Sequence, residues 1–360
     1  MIHFYEEDYA KLSETYRKWW RGELHRPIVP LITTGYDIEG ELGSYPPFEF
    51  GTAWDFSLSP KDFIKFWNLH FSTLRWHGDA FPFFPTTCFG PGTMAAFLGC
   101  RPISAQHTVW FEPPEKDIPI EELHFEADDN NPYLRRVLDV YEAAMEKWRG
   151  QVVVGMIDIG GVMDVLQSFR GAENLLTDLY DDPDEVLRCV KELQGLWRYY
   201  YEKIIGMMGS DAPGYSQWLN LYCENPSYIL QSDFSYMIGP DMFDRFVAPE
   251  LAETASWLDR AVYHMDGIGQ IPHLDSLLKI DGIKGIQWVP GSGAPEEQNW
   301  DDLLTRILDA GLKLLSCNQN PDGTPIAIAK DPGQLYFWER YYHKDDPGAQ
   351  AYAEICNISL

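Results

Sequence analysis

The stretch AVYHMDG, residues 261–267, is a short apolar run that ends in a histidine, a methionine, an aspartate and a glycine. Its first residues suit a buried strand. His264 and Asp266, two positions apart, point to the same side of an extended chain. Working outward, the same order recurs along the sequence: an apolar, β-branched run, then polar residues, then a helical pattern. The strand candidates are PIVPLITT (27–34), DAFPFFP (79–85), QVVVGMID (151–158), PGYSQWL (213–219), SYILQSD (227–233), AVYHMDG (261–267), GIKGIQWV (282–289) and LKLLSCN (312–318). Helical patterns separate most of them. DDPDEVLRCVKELQGLWRYYYEKIIGMMG (181–209) begins with acids and a proline, which suits the positive end of a helix. GPDMFDRFVAPELAETASWLDR (239–260) and EEQNWDDLLTRILDAG (296–311) show amphipathic spacing, and the latter stops at a glycine.

Strands alternating with helices imply βαβ units and a parallel sheet. About eight such strands in one chain of this size predict an α/β fold of the (β/α)8 TIM-barrel type, as a single domain over residues 1–360. A doubly wound sheet is the alternative, but no GxGxxG follows the first strand. The connection over residues 220–226 is too short for a full helix. An insertion between strands two and three, PISAQHTVWFEPPEKDIPIEELHF (102–125), carries strand-like runs between prolines and acids and predicts a β-ribbon or lid.

Charge narrows the partners. The chain has 28 Lys and Arg against 55 Asp and Glu, a formal net charge of −27. Such a surface repels phosphate backbones and anionic membranes, so neither nucleic acid nor membrane is an expected partner. The six cysteines (88, 100, 189, 223, 317 and 356) form no CxxC pair, and no signal-like leader opens the sequence. The expected location is therefore a reducing cytoplasm. No stretch approaches the roughly 18 apolar residues that a membrane span needs.

Barrel enzymes place their chemistry at the carboxyl ends of the strands. Those ends here offer Asp158, Tyr215, Gln217 with Trp218, Ser232 with Asp233, His264 with Asp266, Gln287 with Trp288, and Cys317 with Asn318. Asp233 suits a general base or a cation-binding carboxylate. Asp158 precedes two glycines, where backbone can approach a ligand closely. Asp158, Tyr215, Gln217, Trp218 and Trp288 are the expected substrate-binding residues, with the two tryptophans as walls. A mouth of rings and carboxylates suits a neutral or cationic small molecule.

SDFSYMIGPDMFDRFVAPEL (232–251) and YHMDGIGQIPHLDSLLKIDGIKGIQWVPG (263–291) together resemble a family pattern. The pattern is an Asp, then SPxxFxxFxxP, then HxxGxxxxxLxxLxxxGxxxixxxP, as in the uroporphyrinogen decarboxylase superfamily. Weaker likeness runs through QVVVGMIDIGGVMDVLQSFRG (151–171) and LSCNQNP (315–321). That superfamily includes the decarboxylase itself and methyltransferases that pass methyl groups between corrinoid proteins and small thiols or other acceptors. The resemblance implies the barrel fold, and one fold hosts many chemistries. The decarboxylase's arginine-bearing RQAGR-like motif is missing, since the first strand ends ITTGYD (32–37). With a net charge of −27, uroporphyrinogen is not the expected substrate.

The superfamily's zinc methyltransferases carry HxC after the sixth strand and a second cysteine near the eighth. Here His264 is kept, Asp266 replaces the first thiolate, and Cys317 stands near the place of the second. The resemblance therefore implies zinc on His264, Asp266 and Cys317 with an open position, and a corrinoid protein as partner. The leading expectation is an enzyme of methyl-transfer type, with Asp233, His264 and Asp266 as its catalytic residues. A metal-free decarboxylase or other lyase acting on a small acid is the first alternative. A barrel that binds a ligand without turnover is the second.

Overall fold

The computed structural model describes residues 1–36, 49–105, 108–209, 212–291, 294, 300–317 and 329–360, with backbone alone for Ser316 and Cys317. Twelve strands are seen among them: β1 (Pro30–Thr34), β2 (Arg75–Gly78), β3 (Phe83–Phe84), β4 (Arg101–Ala105), β5 (Thr108–Glu112), β6 (Val153–Val154), β7 (Tyr228–Gln231), β8 (Ala261–Asp266), β9 (Ile283–Val289), β10 (Lys313–Cys317), β11 (Leu335–Phe337) and β12 (Arg340–His343). The chain is mixed α/β. Its largest sheet is fully parallel, in the order β11-β10-β9-β8-β7. A second sheet has the order β12-β1-β2, and β3 pairs with β6 alone. Single bridges, Ile28 to Tyr336 and Gly155 to Ser216, lie between these pieces. Among the described residues the ladders do not join into one closed barrel.

Side chains nevertheless gather as the strand order suggests. Ile28, Phe81, Val153, Ile229, Val262, Leu315 and Tyr336, from seven segments in or beside the strands, meet in one buried cluster. Tyr9, Leu12, Tyr16 and Trp19 of the helix Glu6–Trp20 close that cluster from one side. At β9 the corresponding position is Gly285, paired with Val262. A Cβ there would lie 2.9 Å from Leu315 Cδ1, so the missing side chain makes room for its neighbour. The larger core lies on the other face of the strands, where the helices pack.

The helices start where the sequence places capping groups. Asn131 accepts from the amides of Tyr133 and Leu134 ahead of Pro132–Trp148, and Ser59 accepts from Asp62 ahead of Pro60–Ser72. The helix Pro183–Met208 opens with Pro183, Asp184 and Glu185, as its sequence predicts. The expected helix over 239–260 is broken into Pro240–Phe246 and Ala248–Trp257. Pro249 supplies no amide for a helical bond back into the preceding turn.

Three expectations need correction. Residues 213–219 do not form a strand: Tyr215 pairs with Cys223 through two backbone bonds of 2.8 Å, so the segment folds back on itself. Its aromatics fill a packed loop instead. The expected strand over 79–85 shrinks to β3, and the unforeseen β2 runs antiparallel beside β1. Asp79 is held there by Arg26 at 2.5 and 2.8 Å and accepts the Val29 amide, which fixes the turn. The segment 312–318 is not the last strand, because β11 follows and lies parallel to β10. The insertion does form a ribbon, the antiparallel hairpin β4–β5.

Gly285→Val is expected to destabilise the protein by ~1–3 kcal/mol, because the added carbons must displace the Leu315 side chain. Urea denaturation checks this; an unchanged midpoint would mean that Gly285 faces open space.

Candidate functional site

The site grows from the register of three adjacent parallel strands. β7 and β9 flank β8, and they place Gln231 and Gln287 on either side of His264. The side-chain oxygen of Gln287 lies 2.7 Å from His264 Nδ1. An amide oxygen only accepts, so Nδ1 donates to it, and Nε2 is the ring nitrogen left to face the cluster. Nε2 in turn faces Asp266, 3.9 Å from Oδ2. One turn beyond the end of β7, Asp233 opens the short 3-10 helix Asp233–Met237. Ligand atoms of Asp233, His264 and Asp266 all lie within 4.8 Å of one another.

The second carboxylate pair holds the frame. Asp164, in the first turn of the helix Val162–Arg170, accepts from the amides of Asp233 at 3.1 Å and Phe234 at 2.8 Å. Asp158 is buried and accepts from the Gly160 amide at 2.9 Å and from Gln231 at 3.3 Å. Its backbone carbonyl takes both the amide and the hydroxyl of Thr93. Asp158 therefore fastens the Gly92–Thr93 loop to the end of its strand. Gly161 is required by close packing: a Cβ there would lie 2.2 Å from the Gln231 carbonyl oxygen.

Crowded carboxyls resist ionisation. Burial pushes Asp158 up to about 6, against the pull of its backbone donors. Burial first, and Asp233 second, raise Asp164. Asp233 is open to solvent on one side, yet the protein around it and then the charges of Asp266 and Asp158 raise it as well. Such a set of carboxyls, with an imidazole among them, has the chemistry of a cation site.

Not every expected residue reaches this cluster. Trp218 does, with its ring edge-on to His264 at a centroid distance of 5.3 Å and its indole nitrogen bonded to the Ile229 carbonyl. Trp288 does not: it is buried against Trp300, one residue out of step with Gln287. Gln217 is fully buried and donates to Ser227 and Cys223, away from the mouth. Tyr215 is half-buried against the larger core. Asn318 and the side chain of Cys317 lie outside the described residues. Gln287 stands among the strand-end candidates but with no role assigned to it, and Asp164 is not among them. Strand register supplies the role of the first, and a place at a helix start hides the second.

A cavity of about 380 Å³ opens beside Asp233 and Gln231, roofed by Trp110 and Phe111 of the β4–β5 hairpin. The predicted ribbon thus stands over the acidic cluster.

Among solved structures, six chains match this one in fold. One is a methyltransferase from Methanosarcina mazei, with a TM-score of 0.55 and 13% sequence identity, over 96% of this chain and 98% of that one. No family model matches the sequence, and no curated protein matches it either. The shared feature is the fold. Among the described residues, no helix is long and apolar enough to cross a membrane.

A carboxyl whose pKa is raised in the folded state costs stability progressively as pH rises from the unfolded value to the folded one, and the cost is complete above the latter. Asp233, raised to about 7, is therefore expected to oppose folding fully at pH 8, partly at pH 5 and hardly at all at pH 3. Asp233→Asn should raise the melting temperature at pH 8, with the gain shrinking through pH 5 and vanishing towards pH 3. An equal gain at pH 8 and pH 3 would argue against a raised carboxyl.

Proposed function

We propose that this chain is a methyl-transfer enzyme of the uroporphyrinogen decarboxylase superfamily type, which uses Asp233, His264 and Asp266 to hold a divalent metal ion, with zinc the first choice. The observation that carries the reading is the meeting of three ligand atoms within 4.8 Å at the ends of two paired strands. The eight-stranded barrel is part of the same proposal, and the buried ring of strand residues from Ile28 to Tyr336 supports it. The methyltransferase neighbour is consistent with it at the level of fold.

The donor set fits a metal. Nε2 of His264 is the ring nitrogen that faces the cluster, and Gln287 orients the ring from behind, as outer-shell partners of ligating histidines do. Asp233 and Asp266 repel one another, and a cation between them would relieve that repulsion. Asp233 takes the third place that the sequence reading gave to Cys317. One nitrogen and two oxygens make a harder set than thiolates, suited to zinc, manganese or iron. Zinc, when bound, supplies a Lewis acid that lowers the pKa of an acceptor thiol or hydroxyl.

The chain's own groups would do the rest. Trp218 keeps water from one side of His264, and Asp164 holds the Asp233 turn in place. Tyr236, Met237 and Ile268 leave an apolar, exposed rim near these loops, which supports the approach of a methyl-carrying protein such as a corrinoid protein. The raised carboxyl of Asp233 also suits delivery of a proton to a carbanion, as a metal-free decarboxylase of a small acid requires. Release of carbon dioxide from candidate acids, without methyl transfer, would favour that second reading.

Zinc is expected to bind the purified protein and raise its melting temperature. His264→Ala should abolish the stabilisation, and Gln287→Ala should weaken zinc affinity by ~10–100-fold. Elemental analysis and thermal shifts read the metal; transfer from methylcobalamin to a small thiol reads the activity. No bound zinc at any loading would sink the metal version.

A further inference from the structure

On the other side of Trp218 lies a second cavity, of about 410 Å³. Rings dominate its walls, among them Trp67, Trp76, Phe83, Trp218 and Trp338, and one carboxylate, Glu339, stands in it. The rings come from different parts of the chain. Trp67 belongs to the helix Pro60–Ser72 and Trp76 to β2, whereas Trp338 and Glu339 lie in the link between β11 and β12. They converge where β1 and β3 are not hydrogen-bonded to each other, so the gap between the two smaller sheets becomes a chamber.

The polar groups in the chamber have one sign. No lysine or arginine lines it among the described residues. His70 is its remaining ionisable nitrogen group, and burial lowers that ring's pKa, so it adds no positive charge at neutral pH. Glu339 accepts a hydrogen bond from the Tyr341 hydroxyl at 2.5 Å. Asn220, which also lines the chamber, bonds to it as well. Burial holds this carboxyl up to about 7, against the pull of those two hydrogen bonds.

We propose that this chamber binds a small organic cation of the methylated-ammonium class, with Glu339 as counter-ion and the surrounding tryptophans as its cage. Aromatic rings attract quaternary ammonium through their quadrupoles, and a methylated cation loses little hydration on entering an apolar space. A neutral ligand of the same shape would fill the rings but bring no charge to balance the carboxylate. The net charge of −27 adds a long-range field that draws cations towards the protein. The volume falls within the usual range for small-molecule sites. Trp218 is shared by both places, its ring in the chamber wall and its edge against His264. A ligand here would thus sit one ring away from the cluster, and the inference names the substrate class for the methyl-transfer reading and rests on it.

The test is calorimetric titration of the full chain, without added metal, using choline, tetramethylammonium and the neutral isostere 3,3-dimethyl-1-butanol. The two cations are expected to bind, and the isostere at least about tenfold more weakly. Glu339→Gln should weaken the cations by about tenfold or more and leave the isostere unchanged. Trp338→Leu, at a half-exposed position, serves if the glutamate variant fails to fold, and should weaken the cations selectively too. Equal binding of cation and isostere, indifference to both substitutions, or no binding at all would overturn the proposal. His264→Ala should keep cation binding. If cations bind but no methyl transfer is found, the chamber stands and the proposed reaction falls.

Discussion

The parallel pairing of β8 between β7 and β9 is the constraint on which the site depends. It sets Gln231, His264 and Gln287 side by side. Because side chains alternate along a strand, that single register also decides what lies on the opposite face: Met265 opposite Trp288, both buried. A slip of one residue would exchange imidazole for thioether and amide for indole. The cluster would then face the helices, and the core residues would face the mouth. Register is held by the buried apolar residues of both faces, so packing that has no chemistry of its own fixes the chemistry.

The same logic shows why a group of acids persists in one place. Each carboxyl is tied to a different element: Asp158 to the Gly92–Thr93 loop, Asp164 to the Asp233 turn, Asp266 to the end of β8. Backbone amides satisfy the first two and keep them partly ionisable despite their burial. Among the described residues no backbone amide donates to the Asp233 carboxyl, and its backbone, rather than its side chain, is what Asp164 holds. Two acids are therefore structural and two are left to face a ligand. Burial and bonding divide four similar residues into two kinds.

Much of this was legible in the sequence, and the remainder has identifiable causes. His264 and Asp266 could be paired from their spacing in one strand, and Asp233 from the end of another. The hairpin over the mouth was readable from strand-like runs among prolines. Trp288 was misplaced because a sequence shows that a run is a strand but not which of its two faces points inward; both Gln287 and Trp288 are compatible with a strand end. Residues 213–219 read as a strand because Tyr and Trp favour strands, yet the same rings pack equally well in a loop closed by the Tyr215–Cys223 pair. β11 and β12 were overlooked because each is only three or four residues long.

Asp266, at the place where the resemblance would put a cysteine, takes on a different meaning in three dimensions. In sequence it reads as the loss of a thiolate and a weaker metal site. In the structure a second carboxylate, Asp233, comes within reach of the same imidazole, from a strand that sequence proximity does not connect to it. Two carboxylates carry the same formal charge as two thiolates, so a divalent ion would be balanced as before, by harder donors. What changes is the behaviour of the empty site. Two carboxylates close together repel and take up a proton near neutrality, where the charge of one is relieved. A cation bound there would compete with the proton for the same oxygens, so the proposed metal affinity would be coupled to pH through Asp233 itself.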